Sequence, residues 1–393
     1  MKVERVDTYV VGAGWKNWCF VRLETDTGLV GIGEATLNGF GRTCEAAVRE
    51  LAPLVLGADP RRVRTIASDL YHRVSNEGGH VHRTAIAGYE VACWDILGKS
   101  LGVPVYQLLG GKVRDAIPAY ANGWYRTERT PEDFARAATA AVAMGFQALK
   151  LDPLGSARGF LVPGELERSR EIVAAVRAAV GPRVRLLVDV HARLAPSEAV
   201  ALVTACSDLD VFWWEEPTTR QAEPPTSDVA NRVTGRIATG ENFHTVGQFL
   251  SLLRGGGVSI LQPEPMSLGG ILPTLAVAEL AAADGGWIAP HQSGGPVATA
   301  VCLQLAACVP NFLVQEHFDR FNAPWTADLV TWTPALNEST GELSLPEAPG
   351  IGLDLDVDVA SAHPYDPDAF LDVYADGWEM RLGQRRNRDG GER

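Results

Sequence analysis

RLLVDVHARLAPSEAVALVTACSDLDVFWWEEP, residues 185–217, carries the pattern from which the rest of the chain is read. Two short, mostly apolar runs, 185–189 and 211–215, each end in a carboxylate, Asp189 and Glu215, and between them residues 197–206 have the makings of a helix. Run, helix, run is the signature of a βα unit in a parallel sheet, whose strands are apolar because both faces are covered.

The unit repeats in both directions. Runs at 116–120, 148–151, 185–189, 211–215, 237–241, 258–262, 287–291 and 312–316 alternate with helical stretches at 132–144, 165–180, 197–206, 246–253, 271–283 and 297–307. Eight such runs predict an α/β fold built on a modified, TIM-like (β/α) barrel. A doubly wound open sheet would also alternate, but no GxGxxG follows the first strands to support dinucleotide binding. The first 112 residues read differently, as α+β. Strand-like runs at 18–24 and 29–34 meet at TDTG, residues 25–28, a tight-turn sequence. Helices are expected at 42–55, 60–73 and 83–101, the second opening on Pro60. The chain therefore divides into an α+β domain, 1–112, a barrel, 113–335, and a C-terminal segment, 336–393, that runs back to the first domain and ends in a polar tail from about 385.

Of 393 residues, 46% are hydrophobic and 21% charged, enough for a packed core without low-complexity sequence before that tail. A formal charge of −13 argues against nucleic acid or an anionic membrane as partner. The six cysteines form no CxxC pair and no dense framework, which points to reduced thiols. With neither a signal-peptide pattern nor a run of 18 apolar residues, the cytoplasm is the expected location.

In a barrel of this kind the chemistry lies at the C-terminal ends of the strands. Those ends carry Lys150 and Asp152, Asp189 and His191, Glu215, Glu241, Glu264, His291 and Glu316. Asp189, Glu215 and Glu241 are evenly spaced (215 − 189 = 26 and 241 − 215 = 26), which places three carboxylates at one height on successive strands. Together they would repel unless a cation sat among them. Oxygen ligands favour Mg²⁺, with Mn²⁺ as a substitute.

These residues resemble those of the enolase superfamily, mandelate racemase subgroup, and most closely its galactonate dehydratase-like acid-sugar dehydratases. The resemblance rests on GIGEA at 31–35, AIAG at 85–88 with WDILGK at 94–99, PVYQLLGG at 104–111, DVHAR at 189–193, WEEP at 214–217, GEN at 240–242, Gln262-Pro263 with Gly269-Gly270, and APH at 289–291. It implies a cap made from both chain ends and a metal held by Asp189, Glu215 and Glu241 that binds a substrate carboxylate. Proton removal beside that carboxylate then gives an enediolate, which the cation and Lys150 stabilise.

His291 is the expected base, since imidazole titrates near neutrality. Glu264 is its partner, a glutamate where the family carries an aspartate. The resemblance implies that His191 protonates the departing 3-hydroxyl, and residue spacing on an extended segment puts its side chain on the side of Asp189. Mandelate racemase-like enzymes keep a second lysine where this chain has Asp152, which favours dehydration over two-base racemisation. Glu316 resembles the residue that hydrogen-bonds the substrate carboxylate in protonated form. Substrate contacts are expected from Lys150, Asp152, His191, His291 and Glu316, with Arg193 and Asn242 as supports. Loops at 37–42 and 78–83, with Asn38, Arg42, His80, His82 and Arg83, are expected to set specificity, and residues 153–164 to line the mouth. Family members are commonly homo-oligomers. Epimerisation, cycloisomerisation or sugar-acid binding without catalysis remain open alternatives on the same scaffold.

Overall fold

Three antiparallel strands, β1 (Val3–Gly12), β2 (Asn17–Thr25) and β3 (Val30–Glu34), open the chain. The computed structural model describes residues 1–219 and 223–381; the polar tail from about 385 lies outside them. Gly28, at φ +80°, makes the β2–β3 turn. Against this sheet pack α1 (Gly41–Leu51) and α3 (Gly79–Leu101), and α2 (Val63–His72) packs on α3. The approach of α3 to β3 explains the GIGEA run: a Cβ on Gly31 would strike the Ala92 carbonyl oxygen, and one on Gly33 that of Gly88.

Helix α2 does not begin at Pro60. Asp59 accepts from the Arg61 amide at 3.1 Å through its side chain and from the Arg62 amide at 3.0 Å through its carbonyl, so a turn occupies 60–62 and the helix starts at Val63. The short α4 (Val105–Leu108) leads to the barrel.

Eight parallel strands follow, each but the last with a helix after it. They are β4 (Ile117–Ala121), β5 (Ala148–Leu151), β6 (Arg185–Asp189), β7 (Val211–Glu215), β8 (Ile237–Thr239), β9 (Ile260–Leu261), β10 (Trp287–Ile288) and β11 (Gln315–His317). The helices are α5 (Pro131–Ala143), α6 (Glu165–Val180), α7 (Pro196–Ala205), α8 (Glu223–Arg232), α9 (Val246–Gly255), α10 (Pro265–Leu268) with α11 (Ile271–Ala283), and α12 (Pro296–Cys308). Strands pair in order from β4 to β10, β11 pairs with β4, and a bridge between Ile288 and Phe312 closes the ring. Inside, Tyr120, Ala148, Leu187, Trp213, Ala238, Ile260, Ala289 and Val314 form one cluster, with a residue on or beside each strand. The large Trp213 and Tyr120 meet edge to face, and alanines elsewhere in the layer leave them room. Helix α8 escaped the sequence reading because EPPTSDVANR has too few apolar residues to show a helical period.

Beyond the barrel lies a second departure from expectation. The hairpin β12 (Leu336–Asn337) and β13 (Glu342–Leu343), within the stretch expected to return to the first domain, pairs antiparallel with β4 instead. Only after it does the chain cross to the N-terminal sheet. There the Ile351 amide donates to Asp95 Oδ1 at 2.9 Å, Lys99 pairs with Asp354 at 2.6 Å, and Val11 bridges Pro364 beyond α13 (Val357–Ala362). The segment then comes back to the barrel, where Trp378 joins its core cluster. The six cysteines are free. Among the described residues no helix is long and apolar enough to cross a membrane.

Candidate active site

Asp189 and Glu215 end β6 and β7 and are paired in register, while Glu241 stands two residues past β8, after Gly240 at φ +130°. Each offers an oxygen within 4.8 Å of the others. The remaining valences show what the trio is for. Asp189 Oδ1 accepts from the His191 amide at 2.8 Å, and Glu215 Oε2 from Trp213 Nε1 at 3.0 Å. Glu241 Oε2 is buried with no hydrogen-bond partner. A buried carboxylate oxygen without a hydrogen bond, beside two other carboxylates, is costly unless a cation joins them, and an all-oxygen set suits a hard divalent ion.

Lys150, 1% exposed, lies under the trio. Its Nζ pairs with Glu215, with Asp189 at 3.1 Å and with Glu316 at 2.8 Å. Burial works against its charge, but the Glu215, Glu316 and Asp189 carboxylates outweigh that and hold it well above its ordinary pKa. Glu215 is pushed the other way for a carboxylate, upward, by burial and by the charges of Asp189, Glu316 and Glu241. One ammonium thus serves a surplus of carboxylates.

Two histidines flank the trio. His291 Nδ1 lies 2.8 Å from Glu264 Oε2, and its Nε2 lies 3.5 Å from Glu241 Oε2. The extra methylene of glutamate therefore reaches. Glu264 is also the N-cap of α10, accepting from the Met266 amide at 3.2 Å, which fixes its backbone. Burial opposes the charged imidazole, yet Glu241, Glu316 and Glu264 push His291 up to about 10. On the other side, His191 Nδ1 lies 2.6 Å from Asp152 Oδ2 and its Nε2 3.7 Å from Asp189 Oδ2. Burial opposes its charge too, but Asp189 and Asp152 raise its pKa. His191 is not extended as expected: it sits at φ +50° and Ala192 at φ +53°, held by the Ala192 amide donating to the Glu216 carbonyl at 2.8 Å. The left-handed turn, rather than strand alternation, brings its ring to the mouth.

Two expected substrate contacts fall elsewhere. Asp152 is fully buried and does not line the cavity; His191, Arg193 and the Leu154 amide occupy its oxygens. Glu316 is likewise buried beneath the cavity, and all its partners are donors: Asn122 Nδ2 at 2.7 Å, the Gln292 amide at 2.8 Å and Lys150. Burial raises a carboxyl group, but Lys150 and His291 more than offset it and lower Glu316 toward the ionised form, against the protonated state expected. Arg193 braces Asp152, and Asn242 donates to Glu216 at 3.2 Å.

The cavity above the trio measures about 810 Å³. Residues 37–40 and 78, 80 and 81 line it, as the two loops were expected to do. Arg42, His82 and Arg83 do not: Arg42 stacks on Tyr365, Arg83 on Tyr71, and His82 Nε2 meets the Leu70 carbonyl oxygen at 3.0 Å. Nor does any residue of 153–164. Lys16, Asn122, His244, Trp378 and Arg381 line it unforeseen. Asn122 directly follows β4 but carries no reactive side chain, and Lys16, Trp378 and Arg381 come from outside the strand-helix repeat.

Fold and site define a capped barrel enzyme with an acidic cluster able to hold a cation. Residues 133–359 match the family model described as enolase C-terminal domain-like, and residues 7–110 that of the mandelate racemase / muconate lactonizing enzyme N-terminal domain. The chain belongs to this family of the enolase superfamily. It is 35% identical to a D-galactonate dehydratase of Ralstonia nicotianae over 91% of this chain and 92% of the relative. It is 33% identical to a D-gluconate dehydratase of Thermoproteus tenax over 90% of this chain and 71% of that one. A solved mandelate racemase/muconate lactonizing enzyme from Sulfitobacter sp superposes with a TM-score of 0.87 at 32% identity, covering 93% and 96% of the two chains.

Proposed function

We propose that the chain is a sugar-acid dehydratase, a hydro-lyase that converts an aldonic or aldaric acid to its 2-keto-3-deoxy acid in the cytoplasm. The observation that carries this reading is the pair of imidazoles, each anchored at Nδ1 by a carboxylate and each with Nε2 beside an outer member of the trio. Dehydration needs one group to take a proton and another to give one, and this arrangement supplies both. The named dehydratases among the relatives support it.

Asp189, Glu215 and Glu241 would hold Mg²⁺, or Mn²⁺ as substitute, which would supply a Lewis acid for the substrate carboxylate and offset the negative charge that raises His291. His291 Nε2 takes the carbon-2 proton while Glu264 holds the ring in one tautomer. Lys150 keeps a positive charge beside the carboxylate end of the substrate. His191, cationic beside Asp152 and Asp189, gives its proton to the 3-hydroxyl as the carbon–oxygen bond breaks, so water leaves. The enol that results takes up a proton at carbon 3 and releases its hydroxyl proton, which gives the 2-keto acid.

The test is His191→Asn assayed on a panel of sugar acids for 2-keto acid, with and without Mg²⁺. Loss of a general acid should slow dehydration roughly 10²- to 10⁴-fold. Carbon-2 hydrogen exchange in D₂O should continue, because His291 is untouched. Full dehydration by the variant would remove His191 from its role, and exchange by the wild type with no loss of water would point to epimerisation.

A further inference from the structure

Two cations at the cavity have no part in the chemistry above. Lys16 lies between β1 and β2 and Arg381 at the far end of the described chain, so opposite ends of the sequence deliver both to one place. They are 3% and 8% exposed. Neither forms an ion pair among the described residues. Lys16 Nζ donates to the Ser293 carbonyl and sits 4.1 Å from the centroid of the Trp15 ring. The Arg381 guanidinium lies among the rings of Trp15, Tyr125 and Phe318, at 5.2, 5.3 and 5.0 Å, and its Nε and Nη1 are buried without a hydrogen-bond partner.

The surroundings hold this arrangement at a cost. Arg381 is at φ +47°, in the left-handed region that an arginine seldom adopts. Gly123, at φ +88°, passes so close that a Cβ there would collide with Arg381 Nη1. Burial brings the Lys16 ammonium down to about 8, helped by the Arg381 charge and opposed by the Glu264, Glu316 and Glu34 carboxylates. Two neighbouring buried cations facing a cavity, short of hydrogen-bond acceptors, are complementary to an anion.

We propose that Lys16 and Arg381 form a second anion subsite, which takes a carboxylate at the distal end of the sugar acid, so that the substrate is an aldaric diacid. This rests on the dehydratase reading and narrows it: the trio and Lys150 receive one carboxylate, and the two cap-side cations receive the other. The guanidinium offers a carboxylate a charge-assisted hydrogen bond, with Lys16 as an added point charge.

Matched hexarates and hexonates that differ only at carbon 6 test it, with the corresponding hexonate 6-phosphates as a third arm. Two quantities are read: kcat/KM for 2-keto acid formation by Mg²⁺-loaded protein, and dissociation constants by tryptophan fluorescence in chelated protein. The wild type should prefer a hexarate over its hexonate by about 10²-fold or more, the scale set by leaving a buried charge partner unmatched. Lys16→Gln and Arg381→Gln should each reduce that ratio at least tenfold, and Arg381→Lys should restore part of it. Equal use of hexarate and hexonate by the wild type would overturn the subsite, as would equal losses on both substrates in the variants. Tighter binding of a 6-phosphate than of the hexarate would overturn the carboxylate assignment. Should no pair yield 2-keto acid while the variant-sensitive binding preference holds, the dehydratase reading fails and the subsite stands.

Discussion

Glu241 Oε2, buried without a hydrogen-bond partner beside two other carboxylates, marks where a cation should act on stability as well as on chemistry. Added Mg²⁺ should raise the melting temperature, by the equivalent of about 2.7 kcal/mol at a hundredfold excess over Kd, and a chelator should reverse the gain. Glu241→Gln should lose that gain without lowering the metal-free melting temperature, because it also removes like-charge repulsion. Differential scanning fluorimetry reads both, and an undiminished Mg²⁺ response in the variant would count against the trio. The acidic residues at strand ends were legible in the sequence because barrel geometry assigns that place to catalytic groups. The direction of His191 was not, since a left-handed turn at 191–192 depends on the Glu216 carbonyl, a tertiary partner.

At the scale of elements, three buried carboxylates dock the N-terminal domain. Glu34, ending β3, accepts from the Gly295 and Ala298 amides at the start of α12, at 2.6 and 2.9 Å. Glu90, in α3, accepts from the Ile271 and Leu272 amides at the start of α11, at 2.9 and 3.0 Å, and Gly270 leaves room for it. Asp95 joins the Ile32 and Ile351 amides, both at 2.9 Å. Each meets the free amides that a helix start or strand edge presents. Glu90→Ala should therefore cost about 1–3 kcal/mol by leaving buried donors unpaired, measured by urea denaturation. Burial chiefly, despite those hydrogen bonds, raises Glu90 to about 7 from an ordinary 4.5. A carboxyl group whose pKa is raised on folding stabilises fully below its unfolded value and loses that contribution as pH climbs through the folded one. The stability of wild type relative to Glu90→Gln should thus fall between pH 4.5 and about 7, by on the order of 3 kcal/mol. A pH-independent difference would show that Glu90 is ionised throughout. In the sequence Glu90 and Asp95 sit in an apolar helical pattern that says they are buried, but not against which amides.

Across the whole molecule, described residues from before and after the barrel meet over its mouth. Trp378 donates to the Gly155 carbonyl at 2.9 Å and sets its ring edge-on to His191 at 5.4 Å. Trp378→Ala should cost about 3–5 kcal/mol, read by urea denaturation, and should also lower kcat by loosening His191. Trp378→Phe, which keeps the ring and loses the bond, should cost only about 1 kcal/mol. Equal effects of the two would show that the ring does not brace the histidine. By itself the sequence determined the barrel, the three acidic residues, His191, and His291 with its partner Glu264, because a repeating strand-helix unit carries its strand ends to one rim at regular spacing. Only the tertiary structure decided that Asp152 orients His191, that Glu316 lies under the cavity, and that Lys16 and Arg381 face it. Those contacts join residues far apart in the chain through turns and packing that follow no period, so no local pattern records them.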